Sequence, residues 1–362
     1  AKYALVAWME EIARHQIAFK TRSGADLASH RSNSLVLDYL DYRAKHFRIL
    51  LRQVLSSFIL QAMASAILLG VGGWLVIQRQ LTLGQLVAAE LVVALVLASF
   101  TKFGKHLESF YDLMASIDKI GYLADLPVER SSGEPIPASQ DGAAIGMRIR
   151  RAGHIGVRPV IQNLEWQIPA GARYGLIGAA GSGKSFLFDT LYSFRVPEDG
   201  WLEFDGKDTR DLNLDDLRSQ IALVRKPEIF EGTIIENLRL GLSSLDTAAA
   251  REALEWAGLL TDMLNLPEGL NTRLQTGGPP LSSSQAVRLE IARSLANKPR
   301  VLILDECLDL LEDVPERGEL LDRLMGPGAS WTVIVATQSD EILARCDKVF
   351  RLENGQVREL SR

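Results

Sequence analysis

Hydrophobic and polar positions follow two regimes along this chain. From Val54 to Thr101, 48 residues carry only two formal charges, Arg79 and Glu90. Val54–Ile77 has no charge and one glutamine, Gln61; Leu81–Thr101 is charged only at Glu90. A helix needs about 20 apolar residues to cross a bilayer core. Two spans, 54–77 and 81–101, are therefore predicted, joined through Gln78–Gln80 as a helical hairpin. Two core helices of a soluble protein are the competing reading, and uncharged runs of this length disfavour it. Residues 1–53 read as helical, with nine basic and five acidic positions. After the second span, Phe103, Leu107, Phe110, Leu113, Met114, Ile117, Ile120 and Leu123 continue as an amphipathic helix. Pro127, Pro135 and Pro137 then mark a linker over 127–144, and strand-like runs begin near Met147.

Charge orients the hairpin. Arg43, Lys45, Arg48 and Arg52 precede it, Lys102 and Lys105 follow it, and the tip holds only Arg79. The positive-inside rule places both ends in the cytoplasm. Glu90 is either a carboxylate lining a pathway or a group near the outer interface that snorkels or pairs. The chain starts at Ala1 with no visible signal peptide, so a truncated N-terminus is expected. The global balance, 40 basic against 45 acidic residues in 362, gives no basic excess of the kind nucleic acid selects. Two cysteines, Cys307 and Cys346, form neither a disulfide framework nor a metal-site spacing.

The polar half carries the candidate chemistry. Tyr174–Ile177 reads as a buried strand, followed by Gly178-Ala179-Ala180-Gly181-Ser182-Gly183-Lys184-Ser185, a G-x-x-x-x-G-K-S phosphate loop. In such a loop Gly178, Gly181 and Gly183 let backbone N–H groups, with Ser182, curl around phosphate. Lys184 then reaches the β- and γ-phosphates, and the Ser185 hydroxyl ligates Mg²⁺. The helix predicted over 186–194 aims its positive end at the anion. Val301–Leu304 is an apolar strand ending in Asp305 and Glu306. Asp305 suits Mg²⁺, directly or through water, and Glu306 suits polarisation of an attacking water.

Hydrophobic hairpin, linker, phosphate loop, Leu281-Ser282-Ser283-Ser284-Gln285 and acidic strand end, in that order, resemble an ATP-binding cassette (ABC) exporter with membrane and nucleotide domains fused. Gly72–Val76, Leu81–Val87, Gly200–Val224, Ile234–Leu238, Leu266–Leu270 and the Glu353–Gln356 turn fit as well. The resemblance implies a membrane hairpin equivalent to the family's last two helices over 1–126: a cytoplasmic loop 1–53 with a coupling helix near 12–22, spans 54–77 and 81–101, and an extension 102–126. After the linker, 145–362 would be an α/β P-loop nucleotide-binding domain with a helical subdomain around 243–298. Four membrane helices of the family's six are not here, so the chain looks like a C-terminal fragment.

ATP and Mg²⁺ are the implied ligands, with a second protomer, the lipid bilayer and an unidentified transported substrate as partners. The implied location is the bacterial inner (cytoplasmic) membrane, multi-pass, with the nucleotide domain cytoplasmic. In the family each ATP lies between one protomer's phosphate loop and the other's signature, here Ser282, Ser284 and Gln285. The departures are specific. Ser283 and Ser284 stand where the signature has glycines, and Lys226 where a glutamine senses Mg²⁺, in a loop one residue short. Gln338 stands in place of the switch histidine, and Glu312 is nearest the aspartate that bridges to the partner. His154 is the candidate for stacking on adenine. Three readings follow: a slow but active exporter, a nucleotide-binding subunit with little hydrolysis paired with a competent partner, and a soluble cassette ATPase, which the low-charge block opposes.

Overall fold

The computed structural model describes residues 2–153, 159–240 and 245–360; the side chains of 98 and 100–108 lie outside that description. The chain divides into two units, Ala1–Val128 and Glu129–Arg362.

The first unit is helical: α1 (Lys2–Arg14), α2 (Gln16–Phe19), α3 (Arg22–Ile77) and α4 (Leu83–Ala124). The predicted first span is the last part of α3, a continuous 56-residue helix about 84 Å long at 1.5 Å per residue. Thr21 caps its start by accepting the Gly24 N–H. No proline or breaking glycine pair interrupts the polar stretch before Val54, so the helix runs on through it. At the tip Arg79 adopts φ +57° and the chain reverses. Thr82 and Gln85 then form a reciprocal capping box that starts α4. A Cβ on Gly72 would fall 2.3 Å from Leu86 Cδ1, so glycine there lets the two helices approach. Ser65 Oγ donates to Glu90 Oε1 at 3.1 Å across the hairpin, and the other carboxylate oxygen is buried without a partner.

Among the described residues α3 is the helix long and apolar enough to cross a membrane by length and composition. None of its most apolar window is buried, which separates it from a soluble core helix. The predicted second span falls at the start of α4, a continuous 42-residue helix.

The second unit begins with β1 (Ile145–Ala152), β2 (Ile161–Ile168), β3 (Arg173–Ile177), α5 (Lys184–Leu191), β4 (Asp199–Phe204), β5 (Lys207–Asp208), α6 (Leu214–Gln220) and β6 (Ile221–Val224). A helical region follows: β7 (Gly232–Thr233), α7 (Ile234–Arg239), α8 (Thr247–Trp256), α9 (Leu260–Leu264), β8 (Arg273–Leu274) and α10 (Ser283–Ala296). The unit closes with β9 (Val301–Asp305), α11 (Arg317–Met325), β10 (Thr332–Ala336), α12 (Asp340–Ala344), β11 (Lys348–Glu353) and β12 (Gln356–Leu360).

The main sheet runs β12-β11-β3-β10-β9-β6, parallel except for the terminal hairpin. Asn354 and Gly355, both at positive φ, turn that hairpin. A second, antiparallel sheet runs β2-β1-β4-β5. Alternation along the central strands feeds two cores. Val301, Ile303 and Ile334 join Phe188, Trp166 and Met147 on one face, while Leu302, Leu304 and Val333 join Val287, Ile291 and Leu254 on the other. Strands buried on both faces explain the apolar run 301–304.

The proline-bearing segment 129–144 is fastened to this unit. Arg130 donates to the carbonyls of Thr209 and Arg210, Glu134 N donates to Asp211 O at 2.7 Å, and Arg218 pairs with Glu129.

Candidate nucleotide-binding site

In a parallel sheet ligands gather at the carboxyl ends of the strands. Three such ends converge here: the loop after β3, Asp305 and Glu306 at the end of β9, and Gln338 just past β10. The loop Gly178–Gly183 holds Gly181 at φ +77° and Gly183 at φ +101°, a backbone shape that L side chains rarely adopt. Gly183 caps α5, and a Cβ there would meet Val160 Cγ1 at 2.6 Å. Gly181 faces open space. Ser182 Oγ is buried with no partner. Gly178, Ala179, Ser182, Gln338, Asp340 and Asn354 line a cleft of about 670 Å³.

Lys184 is 7% exposed. Its Nζ donates to the carbonyls of Gly178 (2.8 Å) and Ala179 (3.2 Å) and lies 3.2 Å from Glu306 Oε1. The lysine thus spans the phosphate loop and the acidic strand end. Glu306 sits at φ +56°, a left-handed conformation costing about 1–3 kcal/mol for a non-glycine residue. Its N–H donates to Ala336 O at 3.0 Å, so pairing between β9 and β10 holds it there.

The Asp305 side chain is 6% exposed, and burial pushes its pKa up. A hydrogen bond from the Ser185 hydroxyl and the charge of Arg225 oppose that rise. Arg225 has no role in the sequence motifs. Its Nη1 lies 2.6 Å from Asp189 Oδ1, and its Nη2 donates to Ser185 O at 2.9 Å. Its Nε is 3.1 Å from Asp305 Oδ2 in ion-pair contact, with the N–H not aligned on any acceptor. Arg195 pairs with the other oxygen of Asp189 at 3.0 Å. The signal available in sequence was an arginine beside Lys226, at the place of a metal-sensing glutamine. Lys226 itself is exposed.

Ser282, Ser284 and Gln285 do not line the cleft. They build the start of α10: Ser282 Oγ accepts the Gln285 N–H, Gln285 Oε1 accepts the Ser282 N–H, and the Ser282 and Ser284 hydroxyls are 3.2 Å apart. Ser282 and Ser283 are exposed. Thr337 Oγ1 donates to Asp309 Oδ1 at 2.5 Å and accepts the Ser339 N–H, tying the segment after Glu306 to the one that carries Gln338. Glu312 is exposed. His154 lies outside the described residues.

Buried polar groups bind the 225–230 loop to α10. Glu228 N donates to Glu290 Oε2 at 3.3 Å, Arg293 Nη1 donates to Glu228 O at 3.0 Å, and Arg293 pairs with Glu290. Burial raises the Glu290 pKa, against the pull of Arg293.

Comparison with known proteins points to ABC transporters. Residues 161–309 match the family model described as ABC transporter. The chain is 28% identical over 302 residues to the alpha-hemolysin translocation ATP-binding protein HlyB of Escherichia coli O157:H7, covering 83% of this chain and 43% of that protein. It is 27% identical over 305 residues to the multidrug resistance-like ATP-binding protein MdlA of Escherichia coli K12, covering 83% and 51%. It is 32% identical over 252 residues to an ATP-dependent lipid A-core flippase of Cupriavidus pinatubonensis, covering 68% and 42%. The chain thus spans about half or less of the length of these curated relatives. A solved bacterial Atm1-family ABC exporter with ATP bound shares the fold, with TM-score 0.86 at 22% identity over 98% of this chain and 62% of that one.

Proposed function

We propose, from the premise that this chain carries an ABC transporter domain on an ABC exporter fold, that it is the ATP-binding and ATP-hydrolysing subunit of a membrane exporter. One observation carries the reading. Lys184 Nζ rests on the phosphate-loop carbonyls and within 3.2 Å of Glu306, so a phosphate-binding cation and a water-polarising carboxylate share one site. The loop fits phosphate: Ser182 Oγ is a buried hydroxyl without a partner, and Gly181 leaves open space. The Ser185 hydroxyl and the Asp305 carboxylate are oxygen donors of the kind Mg²⁺ takes. When bound, Mg²⁺ neutralises phosphate charge. Glu306, half exposed at the strand end, orients water.

ATP is sandwiched with Ser282, Ser284 and Gln285 of a second protomer, and closure of the pair drives the membrane helices. The uncovered apolar surface of α3 supports insertion in a bilayer, and the basic residues flanking the two predicted spans support a multi-pass arrangement with the nucleotide domain on the cytoplasmic side. A second reading, nucleotide binding with little hydrolysis in a heterodimer, draws support from Arg225, which holds the carboxylate assigned to the metal. The test is ATP affinity of the whole chain in lipid nanodiscs. A charge-assisted contact is worth about 1.5–3 kcal/mol, so Lys184→Ala is expected to weaken binding by about 10- to 100-fold. Near-normal binding refutes the assignment.

A further inference from the structure

Taking the nucleotide-site reading above as given, we infer that Arg225 is a built-in cation at the metal position, a specificity-determining residue that lets ATP bind with little dependence on a divalent ion. Asp189 and Asp305 come from different elements, and a single guanidinium touches both, with Nη1 2.6 Å from Asp189 and Nε 3.1 Å from Asp305. Its third nitrogen is fixed by the Ser185 carbonyl, on the residue whose hydroxyl bonds Asp305. The guanidinium therefore contacts the Asp305 carboxylate assigned to the metal and is anchored on the backbone of Ser185, whose hydroxyl is the other assigned group.

Charge at the site balances without any ion. Asp189, Asp305 and Glu306 carry the negative charges, while Arg195, Arg225 and Lys184 are paired with them. A buried carboxylate demands a counter-charge. Usually an arriving divalent cation meets a free aspartate; here it must share or displace a guanidinium already anchored at two other points. The position itself agrees. Arg225 directly precedes Lys226, which stands for the metal-sensing glutamine, and neither residue is a metal ligand while protonated. The shortened loop is not loose either: Glu228 is bound through its N–H and C=O to the Glu290–Arg293 pair. The Nε–H is buried against Asp305 with no aligned hydrogen bond, so its contribution there is charge.

Arginine rather than lysine is required. Its planar fork spans two carboxylates, whereas an ammonium is a point charge on one.

The experiment measures ATP affinity of the whole chain in nanodiscs by calorimetry, with MgCl₂ and with EDTA, for wild type, Arg225→Gln and Arg225→Lys. Wild type is expected to change by less than about threefold on metal removal and Arg225→Gln to weaken by about tenfold or more, with Arg225→Lys between them. Mn²⁺ added to the ATP-loaded chain and followed by electron paramagnetic resonance is expected to bind Arg225→Gln more tightly than wild type. A merely structural role for Arg225 would lower affinity equally in both buffers and leave the ratio unmoved. Wild type that loses about tenfold or more in EDTA overturns the inference, and that arm decides the matter should Arg225→Gln not fold. Absence of ATP binding in both buffers overturns the nucleotide site itself, whereas strong metal-dependent binding overturns only the role of Arg225.

Discussion

Arg293→Met isolates the clamp between the 225–230 loop and α10. Glu290 and Arg293 are 7% and 9% exposed, so the substitution strands a carboxylate where water reaches poorly. Removing one partner of a buried pair costs about 3–5 kcal/mol. For a unit of this size each kcal/mol moves the midpoint by about 2–4 °C, giving a fall of about 6–20 °C in the nucleotide-domain transition. The pH dependence carries a sign. Burial raises the Glu290 pKa in the folded state above its unfolded value. Such a carboxyl favours the fold below the unfolded pKa, and that contribution is lost as pH rises through the folded pKa. Without Arg293 the opposing charge is gone and the rise is larger. The deficit of the variant is therefore expected to narrow as pH falls from 8 to 5. Differential scanning fluorimetry of both proteins across that range is the assay. Adding Glu290→Leu removes the stranded charge and is expected to restore part of the loss; recovery is incomplete because the Glu228 N–H and C=O both lose partners. A deficit under about 2 °C, or one equal at pH 5 and pH 8, refutes the burial reasoning.

Glu306→Gln removes the negative charge facing Lys184 yet leaves the phosphate loop intact, so ATP affinity should hold while turnover falls by about 100-fold or more; unchanged turnover means another base acts or none is needed. Gln338→His restores an imidazole to the cleft wall and is expected to raise ATPase activity, read by phosphate release; no rise points to Ser283 and Ser284 as the limiting change. Cys307 and Cys346 are 1% and 3% exposed, and burial pushes the Cys307 thiol far up, so maleimide at pH 7.5 should label neither until the domain unfolds. Labelling of the folded protein within minutes would show that this core opens.

What could be read in the sequence was whatever local chemistry dictates. The phosphate loop was legible because its glycines answer to backbone shape, and Gly181 and Gly183 do sit at positive φ. The buried strand ending at Asp305 was legible because a strand covered on both faces is apolar throughout. The hairpin turn of β11 and β12 followed from Asn354-Gly355. What escaped depends on contacts between distant positions. Arg225 meets Asp189 from 36 residues away, and no periodicity encodes that encounter. The prolines of 127–144 marked a linker, but not its fastening: residues 129–144 are held by partners some 80 positions on, because Arg130 and Glu134 find backbone groups of the second sheet's edge. Residues 1–53 read as helical in sequence, and α3 joins 22–53 and the first span in one continuous helix.

The departures from the family pattern acquire a common logic at Asp305. A buried carboxylate beside the phosphate loop is tolerable only with a counter-cation, and in most such sites that cation arrives with the nucleotide. Here Arg225 supplies it beforehand, which stabilises the resting loop and lowers the electrostatic gain left for a metal. A glutamine whose task is to sense the metal then has less to report, and an exposed Lys226 in its place loses little. The same reasoning gives a coupled expectation. Arg225→Gln should be less stable than wild type without ligand, because Asp305 and Asp189 lose their shared partner, and should regain more of that stability on adding Mg²⁺ with ATP. Stabilisation by a ligand grows with its concentration relative to Kd, so the second effect follows where MgATP compensates the missing charge and binds the variant more tightly. Thermal shifts of the two proteins, each with and without MgATP, therefore test the resting-state ion pair from its energetic side; equal shifts would separate Arg225 from the metal position.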